Sequence, residues 1–95
     1  MTGGTSERLR AAEQHEEELR RRLQAVLVEQ RQAQSEQARF EQRARLEGAD
    51  PRVAAAARAE EQRAAELAAA ADAVRAELRA QEGLVAQLRT ERSKG

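Results

Sequence analysis

The residues that could do chemistry are few. His15 stands beside Glu16, Glu17 and Glu18, and further carboxylates cluster at Glu60, Glu61 and Glu66. A metal site in the core of a helical bundle draws on Glu-x-x-His motifs from facing helices. With one histidine and no cysteine, the chain offers neither such a motif nor a thiolate ligand or thiol nucleophile. General acid–base or nucleophilic catalysis also needs its groups held in a cleft. The sequence therefore predicts no catalytic residue, no metal, no cofactor and no small-molecule substrate. His15 reads as a solvated or seam-flanking residue.

Arg20-Arg21-Arg22 is the one basic run, and it follows Glu16-Glu17-Glu18 directly, so the local charge cancels. Nucleic-acid binding wants a basic stripe, and single-stranded targets also want aromatic residues for stacking. Phe40 is the sole aromatic residue, and 17 basic residues balance 17 acidic ones. Nucleic acid is thus disfavoured as a partner. No apolar run approaches the roughly 18 residues that cross a bilayer, so no membrane span is expected. Residues 1–6 lack the basic and apolar regions of a signal peptide. The default expectation is a cytoplasmic chain, with signal-less export leaving the same trace.

The elements that carry these residues follow from composition. Charged residues make up 36% of the 95, and most of the 40% hydrophobic fraction is alanine. The large apolar residues are nine Leu, five Val, Phe40 and Met1. Disorder would usually bring a high net charge, which is absent. Ala, Glu, Arg, Gln and Leu dominate, and all are strong helix formers. This is the composition of a long helix or coiled coil.

One stretch interrupts it. Gly48-Ala49-Asp50-Pro51 holds the only proline and sits near the midpoint. Gly48 can close a helix in the left-handed conformation. Asp50 is a preferred N-cap, and Pro51 suits the first helical position. The expected plan is a flexible tail over 1–5, a helix over 6–47 with Thr5 or Ser6 as its cap, a turn over 48–50, a helix over 51–92 and a tail over 93–95.

Both helices carry a heptad seam with strict four-three spacing. On the first it runs Leu9, Ala12, Glu16, Leu19, Leu23, Val26, Gln30, Ala33, Gln37, Phe40 and Ala44. On the second it runs Val53, Ala57, Glu60, Ala64, Leu67, Ala71, Val74, Leu78, Gln81, Val85 and Leu88. With Leu9 as an a position and Val53 as a d position, an antiparallel hairpin pairs a with d. The layers then run from Leu9–Leu88 and Ala12–Val85 through Glu16–Gln81, Leu19–Leu78 and Leu23–Val74. They continue through Val26–Ala71, Gln30–Leu67, Ala33–Ala64, Gln37–Glu60 and Phe40–Ala57 to Ala44–Val53. Polar meets polar in two of the layers, and Phe40, the largest side chain, meets alanine. In a parallel dimer of one continuous helix, Glu16 and Gln37 would face themselves instead. Intrahelical pairs are expected at Glu16–Arg20, Glu17–Arg21, Glu18–Arg22 and Glu41–Arg45.

The fold class is therefore all-α, a two-helix antiparallel coiled-coil hairpin. Its thin seam makes the hairpin marginal alone, and dimerisation into a four-helix bundle or docking on a protein partner would relieve that. Leu27, Val28, Leu46 and Leu84 lie off the seam and form the candidate partner surface, beside alanine faces at 54–56 and 68–70.

An antiparallel pair rich in Arg, Gln, Glu and Ala, with runs such as Leu19-Arg20-Arg21-Arg22-Leu23-Gln24-Ala25, resembles the FliJ/YscO-type stalk proteins of flagellar and type III export ATPases. The likeness covers most of the chain as pattern and includes no diagnostic motif. It implies an elongated adaptor between an ATPase ring and an export gate or chaperone. Small type III chaperones and needle-type hairpins are similar in the same loose way. Exported hairpins of the Trp-x-Gly type share the length and central turn, but Leu46-Glu47-Gly48 stands here without the Trp. The sequence thus points to a non-enzymatic scaffold, stalk or adaptor acting through protein contacts. A nucleic-acid- or regulator-binding helical module is the alternative, and a small secretion chaperone or exported hairpin a third reading.

Overall fold

A computed structural model describes residues 2–47 and 50–94. The chain is an all-α helical hairpin of two helices, α1 at Thr2–Glu47 and α2 at Pro51–Lys94, with no strand among the described residues. Neither helix is long and apolar enough to cross a membrane.

The start of α2 follows from its first two residues. Asp50 Oδ1 accepts a hydrogen bond from the Arg52 backbone N–H at 2.9 Å, and the Asp50 carbonyl accepts from Ala54 N–H at 3.1 Å. That is an N-cap satisfying one donor of the first turn, which has no intrahelical partner. Pro51 follows as the first helical residue, where its missing N–H costs nothing. The part of the turn expected at Gly48 lies outside the described residues.

At the other end of the chain, α1 begins at Thr2. This corrects the expected tail over its residues 2–5, which are helical, and the cap at Thr5 or Ser6, since both residues lie within the helix and are half-buried; Met1 lies outside the described residues. The four-three spacing continues backward from Leu9 to Thr5, so the seam carries the helix beyond the expected start. Gly3 and Gly4 weaken a helix by about 1 kcal/mol each without forbidding it. α2 runs to Lys94 rather than 92, within the usual fraying of a helix end.

The chain divides into two compact units. The first is Met1–Gln24 with Asp72–Gly95, and the second is Ala25–Ala71. Each contains a stretch of both helices. In the first unit Leu9, Ala12, Val85 and Leu88 form one buried cluster. Leu19 and Val74 are also buried there, with Leu23 and Leu78 half-buried. Contacts between the helices pass from Glu13–Arg89 to Arg22–Glu77, rising along α1 as they fall along α2, so the two stretches are antiparallel.

The second unit has a different core. Its buried residues are Ala33, Val53, Ala64 and Ala71. The larger seam residues Val26, Phe40 and Leu67 remain half-buried. Alanines at the seam let two backbones approach closely.

Candidate interaction surfaces

Every seam position named from the sequence is buried or half-buried in its own unit. What the polar seam residues do is less direct than layer pairing suggests. Gln81 Nε2 donates to the Ala12 carbonyl at 2.9 Å, one turn before Glu16 on α1. Glu16, buried at 9% exposure, pairs with Arg20. In the second unit Gln37 Nε2 donates to Glu41 Oε1 at 3.0 Å. Glu60 Oε2 is buried without a hydrogen bond and lies 3.9 Å from Arg63 Nη1. Side chains three or four apart on one helix have Cβ atoms only about 5–6 Å apart, whereas packed helix axes stand about 8–10 Å apart. The short polar side chains therefore find partners along their own helix first.

Of the expected intrahelical pairs, Glu16–Arg20 and Glu17–Arg21 form, the latter at 3.5 Å. Glu18 instead lies 3.7 Å from the exposed His15, and Arg22 reaches across to Glu77 at 3.8 Å. Glu41 takes the Gln37 amide.

Two ion pairs of the first unit join its helices. Arg89 Nη2 donates to Glu13 Oε2 at 3.0 Å, and Arg22 Nη1 lies 3.8 Å from Glu77 Oε2. In the heptad lettering Glu13 and Arg89 are both e positions, and Arg22 and Glu77 are both g positions. Pairing of e with e and g with g belongs to antiparallel helices, and such flanking charges set orientation. A reading centred on the seam missed them, although the complementary signs at flanking positions stand in the sequence.

The proposed partner residues do not form one face. Leu27 is a half-buried e residue, while Val28 and Leu46 are exposed at f and c. Val28 and Leu46 lie about 27 Å apart along α1 at roughly 1.5 Å of rise per residue. Leu84 is an exposed g residue of the first unit. In the second unit the d residues Val26, Phe40 and Leu67 are half-buried and keep apolar surface exposed. A shallow open depression beside Val28, Ser35 and Arg39 is confined to the outer face of α1. Among the described residues, no group of three or more His, Cys, Asp or Glu side chains could hold a metal ion. Comparison with protein-family models, curated proteins and solved structures finds no match.

Proposed function

We propose that the chain is a non-enzymatic coiled-coil scaffold, stalk or adaptor that works through protein–protein contacts. The supporting observation is the uneven core. In the second unit Ala33, Ala64 and Ala71 are buried while Val26, Phe40 and Leu67 keep part of their surface in water. Burial of apolar area is the main driving force of association, and this unit has such area left to bury. The likeness to stalk proteins of export ATPases makes a bacterial secretion or flagellar export assembly the setting to test first.

A photo-crosslinking residue placed at Leu46 tests the reading in cells. A discrete adduct with one protein, weakened by Leu67→Ala, is the expected result. Adduct formation with nucleic acid, together with a steep loss of binding as salt rises, would favour the alternative module. Absence of any discrete protein adduct from both Leu46 and a second probe at Ala70 would overturn the scaffold reading.

A further inference from the structure

The second unit has two flanks, and they are unlike. Its d positions are Val26, Ala33 and Phe40 on α1, with Val53, Glu60 and Leu67 on α2. Its a positions are Gln30, Gln37 and Ala44, with Ala57, Ala64 and Ala71. All the bulky apolar residues of this seam are thus at d, with Leu27, Val28 and Leu46 lying off the seam. A g residue follows each d residue by three positions, and residues three apart are surface neighbours. An e residue stands four positions from an a residue in the same way. The g flank therefore adjoins Val26, Phe40 and Leu67, while the e flank adjoins Gln30 and Gln37. Seam residues on both sides are half-buried, Val26, Phe40 and Leu67 as well as Gln30 and Gln37, so the flanks differ in that the partly exposed side chains are bulky and apolar only on the g side.

The g residues themselves form three levels across the pair. Glu29 stands level with Ala70, Glu36 with Arg63, and Arg43 with Ala56. At no level do two long side chains of the same charge meet. Each level sets a long charged residue against alanine, or Glu against Arg.

We infer that this g flank is the docking surface for a second copy of the chain, giving a four-helix bundle with α1 of each copy lying antiparallel on α2 of the other. This inference rests on the protein-contact reading above and names one partner for it. Charge and size complementarity argue for the second copy. A two-fold axis running along the helices brings Glu36 of each copy to Arg63 of the other. It also lays Glu29 over Ala70 and Arg43 over Ala56, where there is room for the long aliphatic stems. Phe40, Leu67 and Val26 then become the bundle interior. A two-fold axis across the helices would instead oppose Glu36 to Glu36 and Arg63 to Arg63, and like charges so placed are unfavourable. The e flank offers no equivalent, since Glu41 stands level with Glu61 and the neighbouring a residues are glutamines and alanines.

The absence of cysteine makes the test direct. Full-length Glu36→Cys and Arg63→Cys, prepared separately, are mixed and oxidised, and mass is followed by light scattering across the micromolar range. The expected results are a doubled mass for the wild type and a covalent dimer from the mixture, with several-fold less from either variant alone. Gln34→Cys mixed with Ala68→Cys probes the e flank and should give little. Ala70→Glu, which sets a second acid against Glu29, should weaken the dimer about tenfold. A wild type that stays monomeric throughout overturns the inference while leaving a different protein partner open. A dimer that cross-links through the e-flank pair overturns the choice of face. A dimer that cross-links through Glu36→Cys alone overturns the choice of axis.

Discussion

Gln81 Nε2 donates to the backbone carbonyl of Ala12 at 2.9 Å, so a polar side chain of α2 is held by the backbone of α1. That carbonyl already serves the ladder of α1, and a carbonyl oxygen has a second lone pair to give. Gln81→Ala therefore leaves no orphaned group on α1 and should cost only about 0.5–1.5 kcal/mol. Replacing both polar residues of the layer, Glu16→Leu with Gln81→Leu, should raise stability, by about 1–4 kcal/mol where similar buried polar sets have been exchanged for apolar ones. Urea unfolding followed by circular dichroism measures both. A double variant with a lower midpoint than the wild type would show that the polar layer stabilises the fold outright.

The ion pairs between helices make a separate prediction. Glu13 and Arg89 are about half exposed, so their coupling should be small, about 0.2–1 kcal/mol, and should fade with added salt. A double-mutant cycle of Glu13→Ala and Arg89→Ala reads it. The reversed pair, Glu13→Arg with Arg89→Glu, should restore most of what either single reversal loses. If it does not, the pair is a surface contact with no part in orientation.

Gly83 offers a third test. It is exposed inside α2, and a Cβ added there meets nothing within 4 Å. Gly83→Ala should stabilise by up to about 1 kcal/mol, from helix propensity and reduced unfolded-state freedom. The same change at Gly4, near the start of α1, should give less because helix ends fray. A melting temperature unchanged by Gly83→Ala would mean that this stretch of α2 adds little to the cooperative unit.

These cases separate what the residues announce from what they conceal. The seam was legible because four-three spacing is a property of the chain alone, and each of its positions is buried or half-buried. The cap at Asp50 was legible for the same reason, since Asp before Pro has a local mechanism. The start of α1 was not: Thr2 to Ser6 contains two glycines and reads as a tail, yet Thr5 continues the seam. Nor were the surroundings of Gln37 and Glu60. Those depend on which neighbour lies within reach, and the helix's own residues are nearer than the facing helix. The half-burial of Phe40 and Leu67 was hidden too, because burial depends on the distance between the helices. Seam spacing alone gives no measure of that distance.

The last prediction concerns the break at the midpoint. Pro51 opens α2, and Asp50 caps it. In a helix running straight through, the Pro51 ring would meet the carbonyl of Glu47 and remove one backbone bond, a cost of about 3 kcal/mol or more. The seam layers are centred between Gly48 and Ala49. Two straightened chains lying antiparallel would therefore repeat every layer between copies rather than within one. The proline penalty and the cap oppose that exchange, while the seam itself is indifferent to it. Gly48→Ala with Pro51→Ala removes the penalty and raises helix propensity at the break, so the double variant should shift toward the extended, intermolecularly paired form. Small-angle scattering should then give a larger radius of gyration at the mass of two chains, with helix content by circular dichroism unchanged or slightly higher. An unchanged radius would place the preference for the hairpin in the flanking charges and loop closure rather than in Pro51.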